Sequence, residues 1–221
     1  MTADDTDEAA LSPEAMLALL TDQRKSMEGQ IAAFVPYLVT MWGVVWFVGF
    51  SALWLIDGLQ PAFGLPLPLA ATIFAVLIAG AIGMSAYLGI RSNRGIRTTR
   101  AAAFTGTVYG VTWSVGSVAI FVFAMGLQFN GMTGAAVNIF YPTAFVLFAG
   151  IMYLIAGAIW QAVPCVVLGA YTVVIAVIAP FLGYPNHYLF LAIAGGGGFI
   201  ALGVVSFAYL GRLRRRAQGI R

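Results

Sequence analysis

Charge is the scarcest commodity in this sequence. Only 9% of the 221 residues are Asp, Glu, Lys or Arg, whereas a soluble domain carries about 25%. That excludes a soluble globular domain, a disordered chain and a nucleic-acid-binding module. Cysteine occurs once, at Cys165, so no disulfide can form within the chain. Histidine also occurs once, at His187, so a zinc or haem site has no ligand set and no metal or other cofactor is expected. The long apolar stretches hold no interior Asp, Glu, Lys or Arg, with Asp57 at the edge of the first. Proton-coupled carriers and pumps normally carry an ionisable residue at that depth. Gly-x-Ser-x-Gly, His-Glu-x-x-His and P-loop motifs are also missing, so the chain reads as a non-enzyme without a nucleotide site.

What the sequence does contain is apolar length. Hydrophobic residues make up 61% of it. Six stretches, 34–56, 67–90, 102–127, 139–160, 163–182 and 188–210, each reach the roughly 20 residues that cross about 30 Å of hydrocarbon. Backbone amides inside lipid must bond within their own segment, so each stretch is expected to be a helix. Pro36, Pro68, Pro142 and Pro164 lie near span starts, where a missing N–H costs little. The expected fold is all-α: residues 1–11 form a disordered acidic tail, 12–31 an amphipathic helix that lies in the interface or is a short solvated lead into the membrane, 32–211 a six-helix transmembrane domain and 212–221 a basic cytoplasmic tail. The acidic start lacks the basic and apolar regions of a signal peptide. Asn130-Gly131 marks a turn between spans three and four.

The basic residues fix an orientation. All eleven fall in three places: Arg24 and Lys25 before span one; Arg91, Arg94, Arg97 and Arg100 between spans two and three; and Arg212, Arg214, Arg215, Arg216 and Arg221 after span six. Six crossings put these three places on one side. The positive-inside rule makes that side the cytoplasm, so the expected location is the inner membrane with both termini inside. The loop with Arg91, Arg94, Arg97 and Arg100 reads as a topology signal, with contact to anionic lipid or docking of a cytoplasmic partner as the other reading.

A repeat lies inside the spans. Met-Trp-Gly-Val-Val-Trp-Phe-Val-Gly-Phe at 41–50 matches Val-Tyr-Gly-Val-Thr-Trp-Ser-Val-Gly-Ser at 108–117 at five of ten positions. The matches include Gly43/Gly110, Trp46/Trp113 and Gly49/Gly116. The pattern suggests helical hairpins of parallel orientation related by duplication, though the third hairpin carries no clear copy. Gly43, Trp46 and Gly49 share one helix face. Such faces read first as helix packing, with an aromatic-lined cavity as the other reading. Gly106-x-x-x-Gly110 reads as an ordinary packing motif. Gly195, Gly196, Gly197 and Gly198 form a run inside span six. They read as a close-packing seam or as a helix break whose free backbone holds a substrate. Asp57 and His187 read as solvated loop residues, because no third group completes a site with them.

Trp-Gly-x-x-Trp-x-x-Gly-Phe at 42–50, Tyr-Gly-x-x-Trp-x-x-Gly at 109–116, Gly-x-Ile-Trp-Gln at 157–161 and the glycine run together resemble a family of uncharacterised six-span integral membrane proteins of high-GC Gram-positive bacteria. Those proteins are loosely labelled as transporters, so the resemblance implies a six-helix fold and no functional residue. Two functions fit. One is a permease-like, transport-associated subunit without its own energy source, with a cytoplasmic ATPase as partner at 91–100. The other is a structural or regulatory protein that binds other transmembrane helices, including those of a second copy.

Overall fold

Backbone in lipid is satisfied only within helices or closed barrels. The computed structural model describes residues 12–92 and 99–219. It has six helical segments long and apolar enough to cross a membrane: Pro36–Trp54, Leu67–Arg91, Arg100–Phe129, Ala135–Ile159, Val163–Leu182 and Asn186–Arg212. The chain is therefore an all-α, multi-pass membrane protein, and every expected span is present. The helices are α1 (Pro13–Trp54), α2 (Leu67–Ser92), α3 (Arg100–Phe129), α4 (Ala135–Ile159), α5 (Val163–Ile178), α6 (Asn186–Phe190) and α7 (Gly198–Gly219). A 3-10 turn, Ala179–Leu182, ends the fifth span, and a π-helical stretch, Leu191–Gly197, joins α6 to α7 within the sixth.

α2 packs on α1, α1 on the sixth span, the sixth span on α5, α5 on α4, and α4 on α3. α2 and α3 are therefore the edges: 11% and 6% of their apolar windows are buried, against 33% for each of the other four. The inner spans supply most of the core, through Val45, Trp46, Val146, Ile175, Leu191 and Phe199. The loops after spans one, three and five meet at one end, where Tyr184 bonds Asp57 and His187 bonds Asn138. At the other end Tyr109 packs edge-on against Trp160, and Tyr37 against Phe207.

Two expectations need correction. Residues 12–31 do not form a separate helix. α1 is continuous over 42 residues, about 63 Å, so only about half of it fits in the hydrocarbon. A helix lying in the interface must end before the chain turns into the bilayer, and α1 does not end there. Pro36 does open the first apolar span, but it and Pro142 lie inside continuous helices rather than in first turns, so their missing N–H is not free of cost. Each leaves the carbonyl four residues back without its helical N–H donor. For Pro142 that carbonyl belongs to Asn138. Pro68 and Pro164 do stand in the first turns of α2 and α5. α7 continues to Gly219, so most of the basic 212–221 segment is helical. The acidic segment 1–11 lies outside the described residues.

The Asn130-Gly131 turn ends α3 as a Schellman motif. Gly131 has φ +98°, the Met132 N–H bonds Leu127 O at 3.0 Å, and the Gly131 N–H bonds Gln128 O at 3.0 Å. The Asn130 amide adds a bond to Gly126 O at 2.8 Å.

Candidate functional site

The duplicated Gly/Trp motif organises the middle of the bundle. On α1, a Cβ at Gly43 would lie 2.7 Å from the Ile200 amide nitrogen, so this glycine admits the backbone of α7. A Cβ at Gly49 would overlap the Phe74 ring of α2. Between them Trp46 is 6% exposed and stacks on Phe199, with ring centroids 4.9 Å apart. On α3, Gly116 repeats the role of Gly49, because a Cβ there would overlap the Phe148 ring of α4. Trp113 is half-buried and packs edge-on against Phe148 and Tyr153, at 5.5 and 6.1 Å. The flanking aromatics correspond as well. Trp42 Nε1–H donates to Ser85 Oγ at 3.1 Å and Tyr109 O–H to Met152 O at 3.2 Å, each bond reaching 43 residues along the chain.

The two tryptophans join into one line of rings, Trp113–Tyr153–Phe199–Trp46, with neighbouring centroids 6.1, 6.2 and 4.9 Å apart. Aromatic contact fills the space between these spans. One member of the motif is different. Gly110 has no atom within 4 Å of where its Cβ would be, and neither does Gly106. The Gly106-x-x-x-Gly110 motif, expected to be an ordinary packing motif, therefore has no close neighbour among the described residues.

The glycine run is not unwound, and two of the neighbouring helices approach it closely, as a packing seam requires. It lies in and just after the π-helical stretch Leu191–Gly197. Each glycine meets a different neighbour. Gly195 lies under the Trp46 ring, Gly196 against the Phe47 backbone and Gly198 against the Tyr171 hydroxyl, while Gly197 finds nothing nearer than the Ala192 carbonyl oxygen. The helix keeps its bonds through the stretch, since the Gly198 N–H reaches the carbonyls of both Ala194 and Gly195. Tyr171 O–H donates to Ala194 O at 2.6 Å and ties α5 to the π stretch. π turns concentrate at functional positions in helices. Tyr171→Phe keeps the ring and removes this bond. It should lower stability by about 1 kcal/mol in micelle unfolding, and an unchanged midpoint would show that Ala194 O is satisfied without it.

Polar chemistry gathers at the end of the bundle where the loops after spans one, three and five meet. Tyr184 donates its hydroxyl to the exposed carboxylate of Asp57. Burial, and then the bond and charge of Asp57, push the Tyr184 hydroxyl well above the ordinary tyrosine range, so it stays a donor. His187 is not the solvated loop residue expected from sequence. It is fully buried, with Nε2 3.1 Å from Asn138 O and Nδ1 3.3 Å from Gly183 O. Its ring lies 3.9 Å from that of Tyr188. Trp54 Nε1, also near this end, is buried without a hydrogen-bond partner among the described residues. A shallow groove of about 470 Å³ at the α3–α4 turn is lined by Gln128, Met132, Thr133, Gly134, Val137 and Asn138.

At the opposite end, Arg91 donates to the Tyr87 hydroxyl at 3.1 Å. Thr99 caps α3 by accepting from the Ala102 N–H at 3.2 Å, with exposed Arg100 as the first helical residue. Arg94 and Arg97 lie outside the described residues. Among the described residues no three His, Cys, Asp or Glu side chains group as a metal site requires.

Sequence reasoning identified the Gly/Trp faces but missed Tyr171, Phe199 and the burial of His187. The signal for His187 was Pro142, four residues after the carbonyl that the histidine meets. Comparison with protein-family models, curated proteins and solved structures finds no match for this chain.

Proposed function

We propose that the chain is a non-enzymatic protein of the bacterial cytoplasmic membrane that works by binding other transmembrane helices. The clustering of arginines supports an orientation with both termini and the 91–100 loop in the cytoplasm. The resemblance to six-span proteins of high-GC Gram-positive bacteria supports the bacterial setting. The observation that carries the reading is the free face of α3. Gly106, Gly110 and Ser114 follow one another at four-residue spacing on a single ridge, and all three are exposed. A ridge of this kind lets a second backbone come close in a medium where apolarity alone drives no association. The occupant to which this geometry is suited is a helix of a second copy of the chain.

Gly110→Leu tests it. Because none of the described residues lies within 4 Å of a Cβ at this position, the monomer should unfold within about 0.5 kcal/mol of the wild type. The crosslinked dimer in native membranes should fall at least about tenfold. Undiminished crosslinking would remove α3 from any assembly.

A second reading, a transport-associated subunit served by a cytoplasmic ATPase at residues 91–100, has the π stretch beside Tyr171 in its favour. Recovery of an ATPase with the intact chain, and its loss when 91–100 is deleted, would favour that reading over the first.

A further inference from the structure

His187 is the only histidine in the sequence, and both of its ring nitrogens face backbone carbonyl oxygens. A carbonyl only accepts, and a neutral imidazole carries one N–H. The neutral ring therefore aims one bare lone pair at an oxygen inside a buried site, whereas the imidazolium satisfies both oxygens. The Asn138 oxygen is available because Pro142, four residues on, has no N–H to give it. The Gly183 oxygen already takes the His187 backbone N–H at 2.9 Å and accepts the ring on its other lone pair. The Tyr188 ring, tilted 36° to the imidazole at 3.9 Å, offers an aromatic surface to a cation. Of the titratable groups nearby, Tyr184 and Tyr188 flank the ring at 6.1 and 3.9 Å. Asp57, in the loop after α1, is reached through the Tyr184 hydroxyl. From α4 the recorded partner is the Asn138 carbonyl. Burial opposes a charge here, while two charge-assisted bonds and an aromatic face favour it.

We propose that His187 is a proton-binding site at the end of the bundle away from Arg91 and Arg100, and that its imidazolium form clamps the α5–α6 turn to the first turn of α4. Taking up a proton completes both bonds. Losing it breaks one and loosens α6 from α4. This site is separate from the α3 ridge and stands or falls without it.

A histidine-selective ¹⁵N label reports His187 alone. In the full chain in lipid nanodiscs, scanned from about pH 5 to 8, both ring nitrogens should be protonated at the acid end. One should become bare as the pH rises, with amide exchange at His187–Phe190 quickening in step. Pro142→Ala returns an N–H that competes for the Asn138 oxygen and should move the midpoint down by about one pH unit. His187→Gln keeps a donor for that oxygen, and should fold while losing the pH dependence of exchange. One bare nitrogen across the whole range, or exchange that ignores the titration, overturns the proposal.

Discussion

Replacing Gly196 with alanine should destabilise the bundle by about 3 kcal/mol. The same change one residue later, at Gly197, should be neutral or stabilising by up to about 1 kcal/mol. A Cβ on Gly196 would stand 2.6 Å from the Phe47 Cα and closer still to its amide nitrogen. A side chain can rotate away from such a contact, but backbone cannot, so the sixth span and α1 would have to move apart. That movement also pulls Phe199 off Trp46, which stack across the same junction. At Gly197 the nearest atom is 4.0 Å away, and a methyl group there only removes the backbone freedom that glycine has when unfolded. Gly195 and Gly198 fall between these limits. Their neighbours are the Trp46 ring, 3.2 Å from a Cβ, and the Tyr171 hydroxyl, at 2.5 Å, both side chains that can give. Reversible unfolding in mixed micelles, run on the four alanine variants together, reads out this order. Equal losses at Gly196 and Gly197 would mean that the π stretch rejects any side chain, and the approach of Phe47 would not be the cause.

The spans were readable because lipid imposes a length and forbids charge, two properties that a single sequence displays openly. The repeat was readable because five identities fall in ten positions. Which face of each helix turns inward was not readable, and the reason lies in the solvent. In water a buried valine and a surface residue differ in kind. In a bilayer Val146 is 2% exposed and Val115 is 62% exposed, yet lipid and core suit the same side chain. Glycine carried the remaining information only in part. Gly116 seats the Phe148 ring while Gly110, in the same copy of the motif, meets none of the described residues. The buried histidine was hidden for a different reason. Gly183-Tyr184-Pro185-Asn186 reads as a solvated turn, and what buries His187 is its bond to a carbonyl 49 residues away. Pro142 announced that a carbonyl would be free, but nothing local said what would come to it.

Trp46→Ala should cost roughly 3–5 kcal/mol, and Trp113→Ala clearly less, although sequence matches the two residues. Trp46 lies in the interior, stacked on a fully buried Phe199 and over Gly195. Removing its indole leaves a space between α1 and the sixth span, which can close only if the two shift. Trp113 sits on an edge helix with its ring half-exposed, so lipid chains can fill the gap left by its loss. The two rings do not touch and are linked through Tyr153 and Phe199. The double variant should therefore lose the sum of the single losses to within about 0.5 kcal/mol. Micelle unfolding of the monomer measures all three variants, and an equal loss at Trp113 would contradict the edge position of α3. The comparison gains force when repeated in membranes where the dimer forms. If the loss at Trp113 then rises toward that at Trp46, while Gly110→Leu holds it at the monomer value, α3 is an edge in the single chain and an interior helix in the assembly. The duplicated motif would then pack one helix within the chain and another between chains, which is why only its second copy leaves a glycine open.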